Sequence, residues 1–447
     1  MSNFVKTIKN IYKAKDLRRR ILVTFLFVLV YRFGSFVVLP GIDTSALSSL
    51  KDQTAEGLMG LLDMFSGGAF SNASIFALGI MPYISASIVV QLLTIAVPSF
   101  QKMQKDGDSG RKKMMQITRY LTVAILLLQG PSYLVNLSVQ LREVGSALPA
   151  GVWFKISSTI ILCAGSMFVM WLGERITDKG VGNGISFIIL VGIIARFPHA
   201  LAAEFAYCLN ESGGLIKLIL EILGLLVVSC AAILLVQGVR KVPVQYANRM
   251  VEGQRVGGVR QYIPLKVNAA NVMPIIFAQA IMFIPLVFTP WIGNGDGSGS
   301  FFSLWRDNNS FVYNLIFALL IILFTYFYVA IIINPQQMSE DMKRNNGFIP
   351  GVKPGNATAE YIDLIMSRIT LPGAIFLAIL AILPAIIRQY GVTTQFAQFF
   401  GGTSLLIVVG VVLDTLQQVQ SHLNMHKYDG LMENGTVIRG RNGVSVY

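Results

Sequence analysis

Residues 57–93 read GLMGLLDMFSGGAFSNASIFALGIMPYISASIVVQLL, and this stretch decides the fold. A short apolar run, Leu58 to Phe65, ends at Ser66, Gly67 and Gly68 before a full-length apolar segment begins. A helix of this length rises only about 12 Å, whereas the hydrocarbon core of a bilayer is about 30 Å thick. The run therefore predicts a helix that enters the membrane and turns back, with unwound backbone facing protein or a water-filled cavity.

The composition is typical of a polytopic membrane protein. Of 447 residues, 54% are apolar and 13% are charged, and the mean hydropathy is +0.62, whereas about a quarter of the residues of soluble proteins are charged. Ten apolar runs predict ten membrane spans. They are residues 21–39, 74–97, 117–137, 154–172, 185–196, 215–236, 272–287, 312–333, 371–387 and 405–416. The fifth run is short, and residues 197–205 offer an extension.

The distribution of positive charge predicts the orientation. Most of the 36 Lys and Arg precede the first run or lie in alternate loops, and cytoplasmic loops retain positive charge, so both termini are expected in the cytoplasm. Within residues 1–20, apolar side chains alternate with lysines at helical spacing, which predicts an amphipathic helix on anionic lipid. The net charge of +13 lacks interleaved aromatic side chains, so no direct reader of nucleic acid is expected.

The sequence carries little that predicts catalysis. Its three cysteines lack the spacing of metal ligands, and no phosphate-binding loop of the GxxxxGK[ST] type occurs, so no metal or other cofactor is expected. Few ionisable residues fall inside the runs. Among them, Lys217 and Glu221 stand one helical turn apart and are expected to pair. An enzyme and an ion-coupled pump are both disfavoured.

Two predicted cytoplasmic loops, residues 240–268 and 334–368, are far longer than the usual connection of about 4–6 residues and are expected to bind a partner. Alternation at Val242, Val244 and Tyr246 predicts a hairpin-like projection in the first. The second has the sequence GFIPGVKPG at residues 347–355, in which Gly and Pro favour a tight tip. The basic residues proposed to dock the partner are Arg240, Lys241, Arg249, Arg255, Arg260, Lys343, Arg344 and Lys353.

Several motifs resemble the SecY family of protein-conducting channels. FSGG at residues 65–68 and ASIFALGIMPYISAS at residues 73–87 closely resemble the second-span signature of that family. Further resemblances cover nearly the whole chain and are GNGIS at 182–186, PLKVN at 264–268 and GGTSLLI at 401–407.

The resemblance implies an all-α membrane protein in two inverted five-helix halves around a central pore, at residues 21–205 and 206–423, followed by a cytoplasmic tail at 424–447. A re-entrant plug would occupy about residues 57–70, including Leu58, Leu61, Leu62, Phe65, Gly67 and Gly68. An aliphatic ring would seal the pore against ions, at Ile80, Ile84, Ile189, Ile193, Ile276 and Ile407. Gln91 and Asn268 would form an amide pair across a lateral gate between spans two and three and spans seven and eight.

The same resemblance implies the pore-forming subunit of a Sec translocon in the bacterial cytoplasmic membrane. Such a subunit passes unfolded secretory proteins across the membrane and releases transmembrane segments sideways into lipid. The implied partners are SecE-like and SecG-like small subunits, the SecA motor ATPase, the ribosome, signal sequences and nascent membrane proteins. The family commonly has Arg where this chain has Lys353, which keeps the charge but loses the planar fork of donors.

The alternative hypothesis from the residues is a secondary transporter that binds a small solute at a broken helix, with the break at Gly67 and Gly68.

Overall fold

The computed structural model describes residues 14–42, 63–143, 151–210, 214–246, 249–251, 254–256, 260–288 and 310–433. The predicted N-terminal amphipathic helix before residue 14 and the plug residues Leu58, Leu61 and Leu62 lie outside these ranges. The helices are α1 (Lys15–Gly34), α2 (Met81–Ala96), α3 (Pro98–Lys105), α4 (Asp108–Glu143), α5 (Val152–Lys179), α6 (Gly184–Asn210), α7 (Gly214–Gln237), α8 (Met273–Phe288), α9 (Phe311–Ile332), α10 (Pro335–Arg344), α11 (Asn356–Gln389), α12 (Thr394–Ala397) and α13 (Gly402–Glu433).

Each of the ten predicted apolar runs overlaps one of these helices. Within the described ranges, seven helices are long and apolar enough to cross a membrane, and the pair Met81–Thr94 and Pro98–Gln104, bent by 103°, is an eighth candidate. Two of the other overlapping helices fall short because α1 starts with a strongly charged turn and α8 has 16 residues. The short fifth run is extended, as α6 continues to Asn210.

The second span starts later than predicted. The run was expected to begin at Ser74, but residues 66–80 form successive turns and α2 starts at Met81. Gly79 has φ +54 and Ala73 has φ +45, values that interrupt a right-handed helix. A proline in the first turn of α2 suits a helix start, since no intrahelical partner is lost there. The chain between the predicted plug and α2 is therefore unwound.

This unwound segment is tied to the chain that follows α1. Leu39 N donates to Ala73 O at 2.9 Å, and Ile75 N donates to Val37 O at 2.9 Å. Such pairing satisfies backbone groups that neither a helix nor lipid would satisfy.

The helices pack as two groups that meet on one side. In the first group α4 packs against α2 and α5, and α5 packs against α1 and α6; in the second, α9 packs against α8 and α11. The groups join where α6 contacts α7 and α13. Across the described ranges, neither α2 nor α4 packs extensively against α8 or α9. The face formed by these four helices is thus loosely closed.

The two long loops form one structural unit. The strands are β1 (Val239–Tyr246), β2 (Arg249–Val251), β3 (Gln254–Val256), β4 (Arg260–Lys266) and β5 (Gly347–Phe348). β1 pairs antiparallel with β4, from Val239 opposite Lys266 to Gln245 opposite Arg260, which confirms the predicted hairpin. β1 also pairs with β5 of the second loop, and β2 pairs with β3 near the hairpin end.

Alternation along β1 places Val242 and Val244 in a small core with Leu265, Met342 and Ile349. Because this core draws on both loops, the basic residues of the two loops are carried on one ordered unit.

Candidate functional site

The apolar centre of the molecule contains most of the predicted ring. Ile80, Ile189, Ile193 and Ile407 are buried in one cluster, and Ile84 packs against it. They come from α2 and the residue before it, from α6 and from α13. Ile276 is half-buried outside this cluster, although Val272, four residues earlier, packs against it. The structure therefore brings five of the six predicted isoleucines together.

Met64 and Phe65, from the end of the short apolar run, are buried in this same cluster. These two side chains thus lie where residues of α2, α6 and α13 pack together.

The turn that follows is built on glycine. Gly67 has φ +65 and Gly68 has φ +92, a region where residues with a Cβ are strained. Gly67 also abuts Gly192 of α6, because a Cβ added to Gly67 would lie 2.8 Å from Gly192 Cα. A Cβ on Gly192 would in turn lie 3.0 Å from Phe65 O. The FSGG motif and Gly192 thus form a close backbone-to-backbone contact.

Side chains from neighbouring helices satisfy the carbonyl groups of this turn. The three hydrogen bonds are from Tyr31 Oη to Ser66 O at 3.0 Å, from Arg32 Nη1 to Gly67 O at 2.8 Å and from Tyr133 Oη to Phe70 O at 2.9 Å. Unwound backbone at this depth needs such partners. The donors come from α1 and α4, so both helices anchor the turn.

A partly buried ion pair connects the same turn to α6. Asp63 and Arg196 form a salt bridge in which the Asp63 side chain is 6% exposed and the Arg196 side chain is 21% exposed. Ser71 bridges them, since its N–H donates to Asp63 Oδ1 at 2.8 Å and its Oγ accepts from Arg196 Nη2 at 2.9 Å. Sequence reasoning missed this pair. The available signal was an Asp inside an apolar run and an Arg in the middle of α6, both of which are rare in membrane segments.

The predicted amide pair of the lateral gate is not formed. Gln91 Oε1 and both side-chain amide atoms of Asn268 make no hydrogen bond to any residue that the structure describes. Gln91 lies on α2 and Asn268 lies between β4 and α8. The prediction of a closed pair is therefore wrong for this structure, because the amide atoms of Asn268 bond to no described residue.

The predicted docking residues lie on the sheet unit. Arg240, Lys241, Lys343, Arg344 and Lys353 are exposed. Arg249, Arg255 and Arg260 lie on β2, β3 and β4, and the placement of their side chains is outside what the structure describes.

The tip with Lys353 is fixed by two hydrogen bonds to its carbonyls. Thr358 Oγ1 donates to Lys353 O at 2.8 Å, and Ser339 Oγ donates to Gly355 O at 2.7 Å. Gly351 and Gly355 have φ +86 and +108, which explains the glycines in GFIPGVKPG. The tip therefore presents Lys353 to solvent on a rigid turn.

A second buried polar group joins α6 and α7. The potential ligand atoms of Glu204, Cys208 and Glu221 lie within 4.8 Å of one another, so these residues could share a metal ion. Glu204 Oε2 already accepts a hydrogen bond from Thr393 N at 2.9 Å.

The predicted pair of Lys217 and Glu221 is wrong. Lys217 Nζ donates to Gly391 O at 2.8 Å and lies 5.2 Å from the centroid of the Tyr207 ring. The carboxylate of Glu221 faces Glu204 instead and receives no hydrogen bond within the described ranges. Spacing along one helix did not reveal the competing acceptor on another segment.

The sequence comparisons are consistent with one another. A family model described as SecY matches residues 74–416. The protein translocase subunit SecY of Corynebacterium glutamicum is 40% identical over 440 residues, covering 94% of this chain and 98% of that protein. The protein translocase subunit SecY of Streptomyces scabiei is 39% identical over 435 residues with the same coverage.

Solved structures with similar folds are channel proteins. One, described as showing that the plug domain of the SecY protein stabilises the closed state of the translocation channel, has a TM-score of 0.63 at 16% identity and covers 94% of this chain and 95% of its own. Sec61 in a canine ribosome-channel complex has a TM-score of 0.56 at 16% identity, with coverage of 94% and 95%. At these identities the likeness concerns the fold.

Proposed function

This chain belongs to the SecY family and is the pore-forming subunit of a Sec protein translocase, and we propose that the apolar cluster closed by Met64 and Phe65 is its pore. The observation that supports the proposal is that five of the predicted ring isoleucines lie in or against this cluster together with Met64 and Phe65. The small-solute transporter considered from the sequence finds no support in the comparisons.

We place the pore between two inverted halves, α1–α6 and α7–α13, with ten spans formed by α1, α2, α4, α5, α6, α7, α8, α9, α11 and α13. The overlap of each helix with one apolar run supports this count. The bias of Lys and Arg to alternate loops supports cytoplasmic termini. The curated relatives are bacterial, which favours the bacterial cytoplasmic membrane.

Residues 57–70 are the plug in this proposal. A narrow aliphatic ring excludes ions by dewetting and deforms around a passing peptide without binding it. With no ATP-binding loop in the sequence, the channel is passive and is driven by the SecA motor or by the ribosome.

The lateral gate is assigned to α2 and α4 facing α8 and α9. Loose packing between these helices is compatible with opening toward lipid. An apolar signal sequence or transmembrane segment then lowers its free energy by moving into the lipid. The unpaired amide atoms of Gln91 and Asn268 support a second state in which the two side chains bond, at a gain of about 1 kcal/mol.

Docking of SecA and the ribosome is assigned to the unit of β1, β4, β5 and α10. Its exposed basic side chains suit anionic partner surfaces, since clustered positive charge steers association. The Sec61 relative solved in a ribosome-channel complex supports a ribosome as one partner. SecE-like and SecG-like subunits and anionic lipids complete the assembly in this proposal.

The test is protein translocation into vesicles that contain the purified complex, with SecA, ATP and a secretory precursor. We expect the double variant R240E/K241E and the single variant K353E each to lower the yield of protease-protected precursor, by about tenfold for the double variant, because charge reversal repels the partner. K112E/K113E is the matched control, as both lysines are exposed on α4 outside the docking unit. Equal losses in docking and control variants would refute the docking assignment, whereas absence of translocation by the unaltered complex would refute the function.

A further inference from the structure

We propose that the ion pair between Asp63 and Arg196 is a latch that holds the plug closed, and that its rupture is a step in opening the channel. This inference rests on the proposed function, in which residues 57–70 seal the pore. It goes further by assigning the closed state to a charged contact in addition to apolar packing.

Both residues of the ion pair are close in sequence to residues of the ring cluster. Asp63 directly precedes Met64 and Phe65, the two side chains that fill the ring cluster. Arg196 lies three residues after Ile193, a ring residue, and four residues after Gly192, which contacts Gly67 of the glycine turn. Residues with these separations share one face of a helix. One face of α6 therefore carries the ring residue Ile193, Gly192, which contacts the glycine turn, and Arg196 of the ion pair. A shift of α6 would move all three residues.

Ser71 connects the two partners of the ion pair. Its N–H donates to the Asp63 carboxylate and its Oγ accepts from the Arg196 guanidinium, so both charged groups are bonded to the far end of the turn. The turn between them is also held by Arg32, which donates to Gly67 O at 2.8 Å. Because α6 also contacts α7 and α13, movement between the halves is transmitted to Arg196.

Charge determines what happens when one partner is lost. Replacing Asp63 with a neutral residue removes the carboxylate partner of Arg196, while a second guanidinium, that of Arg32, is held at the same turn. A buried charge without a partner is costly, and release of the plug lets both guanidinium groups reach water. Replacing Arg196 leaves the Asp63 carboxylate with the hydrogen bond from Ser71 N–H, and the Arg32 guanidinium at the same turn carries the opposite charge. The effect of D63N should therefore exceed that of R196Q.

The test measures resting ion conductance of the purified complex in planar bilayers. We expect D63N to raise the ratio of open to closed channels on the order of 100-fold, and R196Q to raise it less. In the double variant D63N/R196Q neither charge remains, so conductance should fall below that of D63N alone. A merely structural defect would not produce this reversal, because independent packing losses add.

Two further variants separate the alternatives. E174Q removes the exposed bidentate pair of Arg119 and Glu174 between α4 and α5, and should leave conductance unchanged. Deletion of residues 58–65 reports on the plug itself. If the deletion leaks but D63N and R196Q do not, the latch is refuted and the plug stands.

Two other outcomes also overturn the latch. Leak from E174Q equal to that from D63N would assign the effect to general loosening, and a double variant that leaks more than D63N would show additive damage. A deletion that does not leak would refute the plug assignment, and with it the proposed seal.

Discussion

Replacing Ile193 with asparagine is expected to raise the resting ion conductance of the reconstituted channel by about tenfold or more, because a polar side chain at an apolar constriction retains water and removes the dewetting barrier. Ile193 is 0% exposed and lies in the cluster with Ile80, Ile189 and Ile407. An amide at this position also lacks a partner in the closed state, which favours the wetted state.

The chain offers a matched control at the next residue. Ile194 is 50% exposed on the outer side of α6. I194N introduces the same amide on the same helix, and we expect its conductance to equal that of the unaltered protein. I193V should also stay closed, since it keeps the ring apolar. Equal conductance of I193N and I194N in complexes that elute as folded particles would contradict the ring assignment.

Deleting residues 58–65 is expected to produce a still larger leak. The deletion removes Met64 and Phe65 from the ring cluster, and also removes Asp63, the partner of Arg196. Water then enters a space lined by isoleucine on one side and by an unpaired guanidinium on the other. The measurement is single-channel conductance together with the fraction of time spent open.

The control for this deletion is a variant in which residues 58–65 are replaced by a Gly/Ser segment of equal length. Such a segment keeps the connection but supplies no apolar side chain to the cluster, so it should leak like the deletion. A sealed channel in either variant, with the complex intact, would show that the plug does not carry the seal.

Much of the helical architecture is predictable because a long apolar run that crosses a bilayer forms a helix, which satisfies its own backbone hydrogen bonds. Each of the ten runs overlaps a helix, and alternation at Val242, Val244 and Tyr246 predicted the hairpin of β1 and β4. The glycine pair after Phe65 predicted the turn at Gly67 and Gly68. In each case the signal is local in the sequence.

What escaped prediction depends on contacts between distant segments. Arg196 bonds Ser71 across 125 residues, and neither residue alone indicates the other. The late start of α2 was not predicted, because the residues from Ser74 to Ile80 are mostly apolar like a helix of a membrane span but form turns. The predicted pairing of Lys217 with Glu221 failed for a similar reason, because Lys217 Nζ donates its hydrogen bond to Gly391 O on a distant segment.

The amide pair of Gln91 and Asn268 was predicted from the resemblance to a family, and the two side chains are not hydrogen-bonded to each other in this structure. The same resemblance selected the six isoleucines of the predicted ring, five of which lie together in or against one cluster, whereas composition alone gives no reason to select them.

The central claim is that a polypeptide passes through the isoleucine ring. A photo-crosslinking amino acid at Ile84, which packs against the ring cluster, tests it with a secretory precursor stalled part-way through translocation. The control position is Leu128, which is 77% exposed on the outer face of α4. We expect adducts with the precursor at Ile84, dependent on its signal sequence, and none at Leu128. A verified stalled intermediate that forms no adduct at Ile84 would contradict the account.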